Sequence, residues 1–145
     1  MKLIMTKGLP ASGKSTWAKE QVRKSGGHLK RVNKDDLRDM IDGGVWSIEN
    51  EENIVRIRDT LIINLLGRGF SVVVDDTNLS PIHEARLKQI AQNFSIDFEV
   101  ESFLHVPLLV CIQRDLTRPN SVGERVINSM FYKFYRIVEK NPIDT

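Results

Sequence analysis

Residues Gly8-Leu9-Pro10-Ala11-Ser12-Gly13-Lys14-Ser15 follow the pattern G-x-x-x-x-G-K-[ST]. A loop of this kind is suited to holding phosphate. Gly8 and Gly13 let the backbone N–H groups of the loop, those of Ala11 and Ser12 included, turn toward one anion. Lys14 adds a mobile positive charge, and the Ser15 hydroxyl can join a Mg²⁺ shell. The context agrees with the letters. Leu3, Ile4 and Met5 precede the loop as a short buried strand, and Trp17, Ala18 and Val22 follow it at helical spacing. The motif implies nucleotide phosphate binding and says nothing of where the phosphate goes.

Three further polar clusters could decide that. Asp75-Asp76-Thr77-Asn78 ends the apolar run Val72-Val73-Val74, where a carboxylate can hold Mg²⁺ or its bound water. Adjacent strand residues point opposite ways, so only one aspartate is expected to serve, Asp76 in preference to Asp75. Asn33-Lys34-Asp35-Asp36-Leu37-Arg38 sets two carboxylates and a guanidinium at the start of a short helix capped by Asn33. Acids there complement a helix dipole, which is the plain explanation. Phosphoryl transfer to an alcohol also needs a base for the hydroxyl proton and a cation for the acceptor, and Asp35 and Arg38 are spaced to face one way. The same letters spell N-K-x-D, a guanine-reading pattern, but too close behind the phosphate loop to act as one. Arg114 and Arg118 stand one helical turn apart before Pro119-Asn120, as in a lid that brings guanidinium groups onto the β- and γ-phosphates.

The elements that must position these clusters alternate in type. Strands are expected near Leu3–Met5, His28–Val32, Phe70–Val74 and Ile96–Val106. Helices follow the phosphate loop, Asn33 (through Arg38 to Ile41), a polar acidic segment from Ser47 to Asn53, Pro81 and Leu108, and a last one holds Val126 to Val138. Inner faces are expected from Ile54, Ile57, Leu61, Leu65 and Leu66 in the long helix, and from Ala85, Ile90 and Ala91 after Pro81. The alternation predicts an α/β fold with three layers, a mostly parallel central sheet and helices on both faces. Ligands then bind beyond the carboxyl ends of the strands, where all the clusters meet. Phe131 and Phe134 read as core, Trp17 as packing, and Tyr132 stays open between core and a stacking surface.

The bulk numbers narrow the setting. A chain of 145 residues, 41% hydrophobic and 28% charged, suits one domain, here residues 1–145. A net charge of +2 excludes a broadly basic nucleic-acid coat but leaves room for a small basic groove. The single Cys111 rules out an internal disulfide and a cysteine-based zinc site. No leader and no apolar run long enough for a bilayer stand out, so a soluble, cytoplasmic protein is expected. His28, His83 and His105 lack ligand spacing and read as structural or surface residues.

Taken in order, these motifs resemble the 5′-kinase domain of the T-even phage polynucleotide kinase family over nearly the whole chain. The shared pieces are G-x-P-x-S-G-K-S-T-W-A at Gly8–Ala18, N-K-D-D-x-R at Asn33–Arg38 and D-T-N-L at Asp76–Leu79. R-x-x-x-R at Arg114–Arg118 and Ser129-Met130-Phe131 complete the set. The resemblance implies a P-loop kinase fold with a small lid, and transfer of the γ-phosphate of ATP to a 5′-hydroxyl of DNA or RNA. It implies that Lys14, Ser15 and Thr16 hold ATP phosphates and Mg²⁺, that Asp35 is the general base and that Arg38 holds an acceptor phosphate. Asp76 and Thr77 would lie near metal and acceptor, and Arg118 would stabilise the transferring group. A phage origin would put the protein in the host cytoplasm. The chain departs from the family in having no phosphatase motif after the kinase part, and the resemblance carries no oligomeric state with it. Asp39–Glu52 and Pro119–Glu124 match poorly, which weakens acceptor identity more than donor chemistry. A kinase of another hydroxyl stays open, on a hydroxymethylated base in phage DNA, a nucleoside or a small molecule. So does a nucleotide-binding switch without catalysis.

Overall fold

A computed structural model describes residues 1–135. Its sheet contains β1 (Lys2–Lys7), β2 (Leu29–Val32), β3 (Ser71–Val74) and β4 (Asp97–Ser102), in the order β2-β3-β1-β4 with every pairing parallel. The helices are α1 (Lys14–Lys24), α2 (Lys34–Asp42), α3 (Ile48–Gly67), α4 (Pro81–Asn93), α5 (Leu108–Leu116) and α6 (Glu124–Met130), the last running into a π-helical turn at Phe131–Tyr135. The chain runs from β1 outward to β2 and back to β3, then crosses to β4 on the far side of β1. The crevice at this change of direction lies at the carboxyl ends of β1 and β3.

Alternation along the central strands divides the core. Leu3, Met5, Val72 and Val74 face α3 and α4, packing on Ile54, Ile62, Leu66, Leu87 and Ile90. Ile4, Leu29 and Val73 face α1 through Ala18, with Trp17 and Val22 packed alongside. A third cluster joins Leu9 of the phosphate loop and Leu79 to Cys111, Ile112, Ile127 and Tyr135. Phe131 and Phe134 pack against it as expected, whereas Tyr132 is exposed. Val138 lies outside the described residues.

Four details differ from the sequence expectation. Helix α3 begins at Ile48, inside the stretch read as a polar segment, because Ser47 accepts from the Asn50 N–H at 3.0 Å and Glu49 and Glu51 complement the dipole. Its buried row is Ile54, Arg58, Ile62 and Leu66, and Leu61 is exposed. An arginine in that row hid its true phase. In α4, Leu87 joins Ile90 and Ala91 inside, and Ala85 faces solvent. Strand β4 stops at Ser102, where the Ser102 hydroxyl takes the Leu104 N–H at 3.3 Å and turns the chain. Full burial of Ile54, Ile62 and Leu66 stabilises by about 1.5–3 kcal/mol each, an upper bound that still anchors α3 firmly. Its first turn, with Glu51, is therefore a fixed wall.

Candidate active site

The phosphate loop leaves β1 and is fastened at once, the Gly8 N–H donating to the Thr77 carbonyl at 3.0 Å. A Cβ on Gly8 would lie 2.8 Å from Cβ of Phe103 and 2.9 Å from Oγ of Ser12, so close backbone approach demands glycine. Gly13 (φ 104°) and, more unusually, Ala11 (φ 63°) adopt left-handed backbone. Helix α1 then starts with no side-chain cap and no acid in its first turn. Its free N–H groups and positive dipole end are left for an anion. Lys14 is buried and folds onto its own loop, donating to the Leu9 carbonyl at 2.5 Å and lying 3.4 Å from Oγ of Ser12. Burial lowers its ammonium to about 8, with Asp75 the main opposing influence.

Both strand-end aspartates are buried, and each keeps one carboxylate oxygen with no hydrogen-bond partner among the described residues. Asp75 accepts from Nε of Arg31 at 2.7 Å. Asp76 accepts from the Lys34 N–H at 2.7 Å, and its free Oδ2 lies 3.8 Å from Nη1 of the fully buried Arg58. Burial pushes the Asp76 carboxyl up against the pull of Lys34 and Arg58. Asn78 ties the turn down, donating to the Thr6 carbonyl at 2.9 Å, and its own Oδ1 is also unpartnered. Ser15, Asp75 and Asp76 line one cleft, and a hydroxyl with unmatched carboxylate oxygens is the hard-donor chemistry that suits Mg²⁺ and its waters. No cluster of three or more His, Cys, Asp or Glu side chains exists among the described residues. A cation here would therefore take most of its ligands from phosphate and water.

Opposite, Asp35 and Arg38 do come together, Nη1 of Arg38 donating to Oδ1 of Asp35 at 2.5 Å. No sequence motif points to Glu51. It takes Nε and Nη2 of Arg38, both at 2.7 Å, and reaches Lys34 at 3.4 Å. Its carboxyl is held below the usual range chiefly by the hydrogen bond from Arg38. Arg31 and Arg58 went unnoticed too; Arg31 also holds Asp36 at 2.8 Å. The available signals were the Ser47 cap, which starts α3 early, and a charged residue in the i, i+4 row of Ile54 and Ile62. His83, half-buried near Lys34 and Arg58, is lowered to about 4 by burial first and those cations next, so it is neutral near pH 7.

Arg114 and Arg118 line the same cleft. Nη1 of Arg114 lies 3.5 Å from the Ser12 carbonyl, and Arg118 is held by Asp115. Trp17 packs edge-on against Phe103, with ring centroids 6.1 Å apart. One cleft of ≈ 860 Å³ is lined by Ala11, Gly13, Lys14, Ser15 and Thr16, by Asp35 and Arg38, by Asp76 and Thr77, and by Arg114 and Arg118. Ser12 is buried in the loop beneath it, and Gly8 forms the loop's closely packed base.

Loop, sheet and site together define a phosphate-binding α/β protein of P-loop kinase architecture. The chain belongs to the family described as AAA domain, which matches residues 3–137. It is 33% identical over 137 residues to the L-seryl-tRNA(Sec) kinase of Methanococcus maripaludis, covering 91% of this chain and 52% of that protein. It thus spans about half the length of this relative. A chain of the Pnkp1/Rnl/Hen1 RNA repair complex superposes with a TM-score of 0.82 at 28% identity, over 96% of this chain and 45% of the other. The Mycobacterium tuberculosis APS kinase CysC, in complex with AMPPNP and APS, shows the same fold with a TM-score of 0.64 at 23% identity, over 80% of this chain and 69% of the other. No helix among the described residues is long and apolar enough to cross a membrane.

Proposed function

We propose that the protein is an ATP-dependent phosphotransferase that moves the γ-phosphate to the 5′-hydroxyl of DNA or RNA. The observation that carries this reading is the single cleft in which Lys14, Asp35, Arg38, Asp76 and Arg118 all face one space. A nucleotide-binding switch has no use for a carboxylate–guanidinium pair opposite its phosphate loop. Asp35 takes the proton of the acceptor hydroxyl as its oxygen attacks the γ-phosphorus. The bond from that phosphorus to the bridging oxygen breaks and ADP leaves. Lys14 turns from Leu9 to the phosphates, and Arg118 meets the charge that develops on the transferring group. Mg²⁺, held by Ser15 and through water by Asp76 or Asp75, supplies charge neutralisation on the phosphates when bound. Arg38 and Thr77 place the acceptor.

A second reading, phosphorylation of another hydroxyl, draws on two observations. One is the similarity to a seryl-tRNA kinase. The other is the hold of Glu51 on Arg38, which offsets the charge an acceptor phosphate would seek. Labelled ATP offered to 3′-phosphorylated nucleotides, oligonucleotides, hydroxymethylated duplexes, nucleosides and seryl-tRNA separates the two. Transfer to 5′-hydroxyl ends is expected. Transfer confined to any other hydroxyl refutes the first reading.

A further inference from the structure

Asp115 sits in the last turn of α5, between the two lid arginines, and is 1% exposed. Its Oδ1 accepts from Nε and Nη2 of Arg118 at 3.1 and 2.9 Å and from the Val122 N–H at 3.1 Å. Its Oδ2 accepts from the Ser121 hydroxyl at 2.7 Å and the Gly123 N–H at 2.9 Å. Burial pushes this carboxyl up, but the bonds from Ser121, Gly123, Val122 and Arg118 outweigh burial and hold it below the ordinary carboxylate range. It is ionised at neutral pH and fully engaged.

An arginine and an aspartate three apart at a helix end are ordinarily a weak surface pair. Here one buried carboxylate gathers the side chain at the start of a loop and the backbone at its end. Both Arg118 and Val122 line the nucleotide cleft, so this anchor lies just behind its wall. Gripped by its Nε–Nη2 edge, Arg118 keeps its Nη1 hydrogens and one on Nη2 for phosphoryl oxygens. Among the described residues the Arg114 side chain has no comparable support, its one hydrogen bond being the 3.5 Å approach to the Ser12 carbonyl.

Resting on the reading of Arg118 as the group that meets the transferring phosphoryl, we infer that Asp115 is the positioning residue of the lid. It ties the guanidinium of Arg118 and the Ser121–Gly123 backbone to one point, so Arg118 is aimed only while the loop is closed. An amide cannot substitute. With its oxygen toward Arg118, its NH₂ group opposes the Gly123 N–H; turned over, it opposes Nε and Nη2 of Arg118.

The test compares Asp115→Ala, Asp115→Asn, Arg118→Ala and the double alanine variant. In nucleotide-free protein, exchange of the Val122 and Gly123 amides should speed up about tenfold or more in Asp115→Ala, with α3 amides unchanged. In steady-state transfer, Arg118→Ala should lower kcat about 10²-fold with little change in KM for ATP, and Asp115→Ala should come within about threefold of it. Asp115→Asn, which keeps the volume and guards against a folding failure, should also lose rate and speed exchange at the same amides, because its NH₂ group opposes a donor in either orientation. The double variant should be no slower than the worse single one, since both remove the same aimed group. Unchanged exchange at Val122 and Gly123, or losses that multiply in the double variant, would overturn the inference. Absence of ATP-dependent transfer in the unsubstituted protein would instead end the kinase reading, and the exchange result would still decide whether Asp115 anchors the loop.

Discussion

On the donor side of the cleft the anion site is made of backbone and left electrically open. The N-terminus of α1 has no side-chain cap, its first turn has no acid, and among the described residues Lys14 bonds only to neutral oxygens of its own loop. On the acceptor side every cation near the rim already holds a carboxylate. Arg38 is on Glu51 and Asp35, Lys34 on Glu51, and Arg31 on Asp75 and Asp36. The donor side waits for a polyphosphate of fixed chemistry. The acceptor side is a compensated network in which changing one carboxylate retunes what the cations can bind.

The largest effect is expected from breaking the open side. Lys14→Met should lower phosphoryl transfer by about 10³-fold or more, through the lost contact to β- and γ-phosphates. The same change should raise the melting temperature of the nucleotide-free protein. The folded-state pKa of Lys14 is depressed, so the penalty for its buried charge is complete below pH about 8 and relieved as pH rises from about 8 toward 10.5. That shift corresponds to about 3 kcal/mol, offset by about 1 kcal/mol for the lost bond to Leu9, and so to a few degrees. Thermal unfolding of both proteins from pH 7 to 10 checks it. A gain that does not shrink with rising pH would rule out the charge as its cause.

On the compensated side, Asp35→Asn should cost about 10²–10⁴-fold in kcat with ATP affinity nearly unchanged, because the amide cannot take the hydroxyl proton. Asp36→Asn should cost far less, since its carboxylate serves Arg31. The reverse order in single-turnover rates would make Asp36 the base. Arg38→Ala should act more selectively, removing most of any preference for a 3′-phosphorylated nucleotide over the bare nucleoside. That preference is expected at about 10–100-fold for a charge-assisted contact. If all acceptors slow equally, Arg38 supports the wall and binds no phosphate.

The two sides also differed in how well they could be read from sequence. The donor loop is a short, contiguous device whose residue types are imposed by backbone geometry, so Gly8, Gly13, Lys14 and Ser15 announce it. The sheet followed because β1 and β3 are short apolar runs between turn signals. Asp35 and Arg38 were visible as neighbours on one helix. Glu51 was not, because its partner lies on another helix and its own stretch lacks an apolar period. Arg58 was hidden by the opposite error: the i, i+4 row looks apolar except at the one residue whose charge reaches Asp76. Asp115 could be seen between the lid arginines, but only tertiary geometry shows the loop folding back onto it.

The smallest effect is the most informative about the acceptor. A phosphate reaching Arg38 meets a guanidinium already offset by Glu51, and the chain's net charge of +2 offers few further contacts. Affinity for a 3′-phosphorylated oligonucleotide should therefore depend weakly on salt, with a log–log slope nearer ~1 than ~6. Glu51→Gln removes the competing charge while keeping a hydrogen-bond acceptor for Arg38. Acceptor KM should then fall about threefold at low salt, and the slope should steepen by up to about one, the value of one unmasked phosphate contact. A bare nucleoside should gain nothing, because it carries no charge for Arg38 to attract. Weaker binding of both acceptors in Glu51→Gln would mean that Glu51 chiefly holds Arg38 in place. An equal gain for both would mean that the acceptor is recognised by its hydroxyl groups, which favours the second reading of the function.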